Sequence, residues 1–288
     1  MKFITFQHLC LCLFLAGRAN ADEYVDLTYN FDDNTMALLG VTPFKLKQVE
    51  RGYTLSGYWH EANSLEVGEH AGTHLDAPAH ASENGWAVDQ IPLGHLVAPG
   101  VKIDIREKAE NDPSAELTSD DLMAWLDDHG PLPDGVVVFV HTGWGSRYGN
   151  KTAYFGTDSN DTSQWAFPGI NPGAAQILTG YEAAIGPRVV GVGIDTPSLD
   201  RGGIADRLTH AELAQKNVYG LENVANLDRL PTTGFEVTVL PMKVAGGSGA
   251  PARILATLPS ASASPATPTL LPLLLAAGLG ARASGGWL

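Results

Sequence analysis

The chain has 288 residues, 44% of them hydrophobic, enough to bury one sizeable core, and no internal repeat divides it into modules. Its formal charge is −14, and a surface that acidic repels phosphate backbones and anionic headgroups, which argues against nucleic acid and against peripheral membrane binding. The sequence has no Gly-x-Ser-x-Gly elbow, no Walker loop and no Rossmann glycine fingerprint.

At the N-terminus, Met1 and Lys2 precede an apolar run, Leu9-Cys10-Leu11-Cys12-Leu13-Phe14-Leu15-Ala16, and small residues flank Asn20. Residues 1–21 read as a secretory signal peptide, too short for a spanning helix. Its removal takes Lys2 and Arg18 and brings the charge to −16. Both cysteines, Cys10 and Cys12, lie inside it. The domain expected over residues 22–259 therefore has no disulfide and no cysteine nucleophile, and must be stabilised by core size.

Residues 53–59 and 64–69 read as short strands leading into His70-Ala71-Gly72-Thr73-His74-Leu75-Asp76-Ala77-Pro78-Ala79-His80. Three imidazoles and a carboxylate within eleven residues offer the nitrogen and oxygen ligands that a borderline divalent cation, Zn2+ or Mn2+, prefers, and a hydrolytic site needs such a cation with a position open to water. If the segment turns at Gly72 and enters a helix, His70 and His74 share one side and Asp76 reaches inward from the first turn. Pro78 then fixes the backbone and carries His80 toward the same centre. The plain alternative is a loop of surface histidines, which four candidate ligands at such spacing disfavour.

Downstream, residues 101–105 read as a strand, and Thr118-Ser119-Asp120-Asp121 as the cap of a helix that buries Leu122, Trp125 and Leu126 and is closed by Gly130. Residues 135–140 and 189–194 are buried strands, residues 174–185 and 209–216 helices, and residues 235–240 and 253–258 late strands. Strands and helices interleave, so the class is α/β. Two acceptor sequons, at Asn150 and Asn160, agree with a secreted product.

His60, His95 and His129 stand alone and read as structural, and Asp195 reads as a loop support; His141 ends a buried strand with nothing to pair with it. Phe44, Trp59 and Trp86 are candidates for an aromatic wall. The tail, residues 260–288, runs from small residues (Ser260 to Ser264) through a Pro/Thr spacer into Leu270-Leu271-Pro272-Leu273-Leu274-Leu275-Ala276-Ala277, the order of a GPI-attachment signal. The expectation is a luminal, secreted or outer-surface protein with no transmembrane span in its mature form, a lipid anchor being the alternative to a plain extension.

The pattern His-x-Gly-Thr-His-x-Asp-x-Pro-x-His resembles the signature of the cyclase-like metal-dependent hydrolases, which include bacterial kynurenine formamidase and isatin hydrolase. The resemblance runs from Val25-Asp26-Leu27-Thr28 through Gly193-Ile194-Asp195-Thr196-Pro197-Ser198 and Leu221-Glu222-Asn223-Val224-Ala225-Asn226-Leu227 to Ala252-Arg253-Ile254, roughly residues 24–258, and the stretch from Glu222 to Pro231 looks more like the isatin hydrolase branch. It implies a swivelling β/β/α single domain, assembled as homodimers or tetramers. It also implies that His210 and Glu222, twelve residues apart and weak on spacing alone, complete a second metal position as in the formamidase; in the isatin hydrolase branch a single manganese would leave them other roles. Gln215 is a weaker oxygen donor.

The expected chemistry is metal-assisted hydrolysis of a small aromatic amide, with metal on His70, His74 and Asp76, extended by His210 and Glu222, and His80 as proton carrier. An isatin-like cyclic amide is favoured as substrate, with N-formylkynurenine hydrolysis as the alternative. A different class, a non-catalytic extracellular metal-containing binding module, is disfavoured by His80, because a closed structural site has no use for a free proton carrier.

Overall fold

In the computed structural model of the chain, residues 22–259 are described; the segment expected to be a signal peptide and the tail expected to carry a GPI-like signal lie outside them. The strands are β1 (Glu23–Asp26), β2 (Lys45–Tyr53), β3 (Trp59–Glu66), β4 (His74–Asp76), β5 (Val97–Asp104), β6 (Glu116–Leu117), β7 (Val136–His141), β8 (Gly169–Ile170), β9 (Val189–Ile194), β10 (Tyr219–Glu222), β11 (Phe235–Pro241) and β12 (Gly249–Leu258). The helices are α1 (Leu93–Leu96), α2 (Arg106–Asn111), α3 (Ser119–His129), α4 (Lys151–Phe155), α5 (Pro172–Ile185) and α6 (Leu208–Gln215).

Eight strands form one sheet in the order β1-β12-β11-β5-β7-β9-β10-β4, and β4 also pairs with β12, which closes the sheet into a barrel with β1 alongside. The neighbours β5, β7, β9 and β10 run parallel, and the remaining pairings are antiparallel. The apolar run from Val136 to Val140 is continuous because both faces of β7 are covered. Val137 and Phe139 enter the barrel interior with Leu75, Leu221, Val237 and Ile254, while Val136, Val138 and Val140 pack outward against α3 and α5 through Leu122, Trp125 and Leu178. The inner residue opposite a large one is small: a Cβ on Gly193 would meet the Phe139 ring at 2.7 Å.

Local signals fall where the chain puts them. The Thr118 hydroxyl accepts from the Asp121 amide while the Asp121 carboxylate accepts from the Thr118 amide, and Gly130, at φ 82°, ends α3. Asn171 caps α5, with Pro172 in its first turn.

Two local expectations are corrected. Residues 53–59 are not a strand: β2 stops at Tyr53, the chain turns through Gly57 at φ 84°, and β3 starts at Trp59. The metal-ligand motif does not enter a helix. Gly72 does turn, at φ 61°, but residues 74–76 are the short strand β4, followed by a single 3-10 turn over Pro78–His80. The barrel needs β4 to bridge β10 and β12, and this pairing overrides any helical preference. Among the described residues no helix is long and apolar enough to cross a membrane.

Candidate metal centre

Strand geometry places the candidate ligands. In β4, His74 and Asp76 are two residues apart and share a face, while Leu75 between them enters the barrel core. The antiparallel register sets Glu222 of β10 opposite His74 and Gly220 opposite Asp76, so the bulky pair meets across the ladder and the glycine leaves room for the carboxylate. A Cβ on Gly220 would stand 3.3 Å from that of Asp76. His210 comes from the first turn of α6 and is 4% exposed; His70 precedes the turn at Gly72.

The six residues converge on Asp76. His70 Nδ1 lies 2.6 Å and His74 Nε2 3.1 Å from Asp76 Oδ1, while His210 Nε2 lies 3.3 Å from Oδ2. Glu222 lies 3.3 Å from His74 Nε2 through Oε2 and 3.0 Å from His210 Nε2 through Oε1. The His80 ring is 4.1 Å from the His70 ring and 5.8 Å from that of His210, centroid to centroid. Ligand atoms of His70, Asp76 and His80, and of His74, Asp76 and Glu222, are close enough together to share a cation.

Burial alone would neutralise this cluster, and the opposite charges outweigh it. His74 is pulled down by burial but held up to about 10 by Asp76 and Glu222. His210 is raised well above its ordinary value, against burial, by Asp200, Asp76 and Glu222. Asp76 and Glu222 are both lowered against burial, Asp76 by His74, His210 and His70, and Glu222 by His210 and His74. His80 is lowered, first by burial and then by His70 and His210.

The donor set fits a metal. Among the described residues, His74 Nε2 and Asp76 Oδ2 are buried without a well-directed hydrogen bond, and both face the cluster, where a cation would satisfy them. Asp76 turns one oxygen to His70 and His74 and the other to His210, so its carboxylate faces both halves of the cluster.

Several supporting residues had no signal in the sequence. Asp200 accepts from His210 Nδ1 at 2.5 Å and from the Thr209 and His210 amides, so Nε2 is the nitrogen left for a cation. His74 Nδ1 donates to the Gly72 carbonyl at 2.9 Å, with the same result. Asn223 Nδ2 donates to that carbonyl as well, and its Oδ1 accepts from the Tyr154 hydroxyl. Arg207 Nη1 sits 3.4 Å from His80 Nε2. Arg207 and Asp200 also line a cavity of about 270 Å³ whose other walls include Trp165, Phe167, Leu38 and Ser198.

The other candidates separate from the site. Trp59 is 51% exposed on the β2–β3 hairpin, Trp86 packs on His95 and Phe44 on Phe31, so they form no common wall; Trp165 and Phe167 take that place. Gln215 is exposed at the end of α6 and offers no ligand. Asp195 accepts from the Thr142 amide and hydroxyl and from Gly145 N, tying the loop after β7 to the end of β9. His141 is buried with Nδ1 unpartnered, 3.8 Å from Asp104, and lines a separate cavity with Arg106, Asp195 and Asp228. His60 stands near Glu50 on the hairpin, and His129 stacks on Trp125.

Comparison with known proteins agrees with this geometry. Residues 25–201 match the family model described as "Putative cyclase". The chain is 32% identical over 217 residues to the isatin hydrolase of Roseibium aggregatum, covering 73% of this chain and 79% of that protein. It is 29% identical over 190 residues to the kynurenine formamidase of Salinibacter ruber, covering 66% and 76%. Its fold superposes on isatin hydrolase A from Ralstonia solanacearum with a TM-score of 0.73 at 33% identity, over 82% of this chain and 92% of that one. The barrel, the motif on β4 and these matches together place the chain in the cyclase family, with the single-domain α/β fold of the isatin hydrolases.

Proposed function

We propose that the protein, a hydrolase of non-peptide C–N amide bonds, uses one or two divalent cations, Zn2+ or Mn2+, to open a small aromatic cyclic amide of the isatin type. The observation that carries this reading is the gathering of His70, His74 and His210 around the two oxygens of Asp76, with the proton carrier His80 beside His70. His70, His74 and Asp76 would hold the first cation, and Asp76, His210 and Glu222 a second. A cation bound there supplies a Lewis acid for the amide carbonyl and an acidified water. His80, kept neutral by burial, accepts the proton of the attacking water and returns it to the leaving nitrogen. Asp200 and the Gly72 carbonyl hold His210 and His74 with Nε2 inward throughout. Half-buried Trp165, with buried Phe167 packed against it, offers apolar surface to an aromatic ring.

The isatin reading is supported by the similarity to isatin hydrolases in sequence and in fold. A second reading, hydrolysis of N-formylkynurenine, is favoured by the inward-facing His210 and Glu222, the pair expected of the formamidase branch. Elemental analysis of the purified protein, paired with turnover assays on both compounds, separates them. Metal-loaded protein inert toward both would overturn the proposal.

Assembly and location belong to the same proposal. Among the described residues the β2–β3 hairpin pairs with no other strand, and Leu46, Tyr53, Tyr58, Trp59 and Leu65 on it are exposed. An isolated hairpin is marginal in water, so a second copy packed on this arm, giving a dimer or tetramer, would stabilise it. Light scattering on Trp59→Asp tests this; an unchanged molar mass, whether monomeric or oligomeric, would refute the role of the arm. Asn150 and Asn160 are exposed, as glycosylated secreted or outer-surface protein requires. Release from animal cells by a GPI-specific phospholipase would identify a lipid anchor, and an intact Trp287-Leu288 terminus in the medium would exclude one.

A further inference from the structure

Glu69 and Ser248 touch no candidate cation position, yet both are joined to the ligand His70. The Ser248 hydroxyl lies 2.7 Å from Glu69 Oε2 and 3.1 Å from His70 Nε2, and the Ser248 amide donates to the same Glu69 oxygen at 3.3 Å. For a neutral imidazole, the form that can ligate a cation, these contacts have one consistent direction. A carboxylate accepts and cannot donate, so the single hydroxyl proton of Ser248 is committed to Glu69. The Ser248 oxygen can then only accept from the imidazole, which places the His70 proton on Nε2. Nδ1 is left as a lone pair, 2.6 Å from Asp76 Oδ1. Two acceptors at that distance repel unless a cation or a proton lies with them.

We infer that Glu69 and Ser248 are positioning residues that set the tautomer of His70, reserving its Nδ1 for the metal. The inference rests on the metal-hydrolase reading above and adds to it a relay that runs from a carboxylate through a hydroxyl to the imidazole. The relay comes from two distant parts of the chain. Glu69 immediately precedes the motif, and Ser248 ends the loop that enters β12. The register of β12 on β4 sets Gly249 opposite Asp76, which brings Ser248 over His70. The relay differs in kind from the supports of the other two histidines: His74 and His210 have Nδ1 tied down and would offer Nε2 to a cation, whereas His70 is turned over, with Nε2 tied and Nδ1 inward. Without Ser248 the ring could flip to the commoner arrangement and lose the position from which Nδ1 meets Asp76.

The test uses the full mature domain in four forms, parent, Ser248→Ala, Ser248→Thr and Glu69→Ala, titrated with Mn2+ and Zn2+ against a chromophoric chelator. Outer partners of ligating histidines are worth 10- to 100-fold in metal affinity, so Ser248→Ala should weaken the site occupied through His70 by about that factor, and Ser248→Thr, which keeps the hydroxyl, should restore it. Imidazole nitrogen NMR on the Zn2+-loaded protein should show the His70 proton on Nε2 in the parent and in Ser248→Thr, and no single tautomer in Ser248→Ala. Glu69→Ala, which frees the hydroxyl proton to turn toward His70, should also loosen both readouts. Parent-like metal affinity together with an unchanged His70 tautomer in Ser248→Ala would overturn the inference. So would failure of Ser248→Thr to rescue while the variant melts like the parent. If no variant of the protein, the parent included, binds metal, the failure lies with the underlying metal-hydrolase reading and not with the relay.

Discussion

Gly249→Ala probes how tightly the barrel holds the metal centre. Gly249 stands opposite Asp76 on the β4–β12 ladder, and an added Cβ would lie 2.5 Å from His70 Cε1, 3.0 Å from His70 Nδ1 and 2.7 Å from the Leu75 carbonyl oxygen. Ordinary contact needs about 3.5 Å, so relief requires a shift of about 1 Å. The Leu75 carbonyl belongs to the β4 backbone, which is paired on both sides and cannot yield. The imidazole therefore moves, and the contact with the Leu75 oxygen is relieved by displacement of β12 at residue 249 itself. Metal–ligand distances tolerate about 0.2 Å, and a misplacement of about 1 Å near reacting groups costs about 100-fold. We expect Gly249→Ala to weaken binding at the position served by His70 by 10- to 100-fold and to lower kcat/KM by about 100-fold, with about 1–3 kcal/mol of stability lost to overpacking. Chelator competition, steady-state turnover and urea denaturation read the three effects. Gly94→Ala, where a Cβ meets nothing within 4 Å, is the control. Parent-like metal affinity in folded Gly249→Ala would show that His70 is not held against β12 as described, or is not a ligand.

His80→Ala should retain its metal by elemental analysis while turnover falls by about 10² to 10⁴, the usual contribution of a positioned acid/base; loss of metal in proportion to activity would make His80 a ligand. Glu222→Ala should lower the count from two cations per chain to one, and a single anomalous peak in the fully loaded parent would favour the mononuclear alternative. Arg207→Met, at the shared edge of the cavity and His80, should reduce kcat/KM by about 10-fold with metal content unchanged. In the metal-free protein the raised His74 contributes stability that is fully present below its ordinary value of about 6.5 and is lost as pH rises through about 10. The lowered Asp76 and Glu222 contribute stability that is present above the ordinary carboxylate range and is lost in acid. Urea midpoints of chelator-treated protein should therefore be highest near pH 5 to 6.5 and decline toward pH 10, and a flat profile over that upper range would contradict the charged cluster.

The sequence by itself determined what depends on neighbours along the chain. The capping residues of α3, the continuous apolar runs of β7 and β9, and the ligand types packed between His70 and His80 are local facts, and each is in place. The family signature added the convergence of His210 and Glu222 on that motif, which no periodicity could supply across a helix and a strand. The tertiary structure decided the rest. Residues 74–76 are a strand because closing the barrel requires a bridge between β10 and β12, and that long-range pairing outweighs the local geometry that suggested a helix. Asp200, Ser248 and Arg207 carry no motif, because a hydrogen bond to a ligand's far nitrogen depends on where loops meet in space and leaves no spacing to read. Trp165 and Phe167, rather than Phe44, Trp59 and Trp86, line the cavity beside Arg207 for the same reason: an aromatic ring in a sequence does not say whether it is buried or, like Trp59, left exposed on a hairpin, and only the packed chain decides.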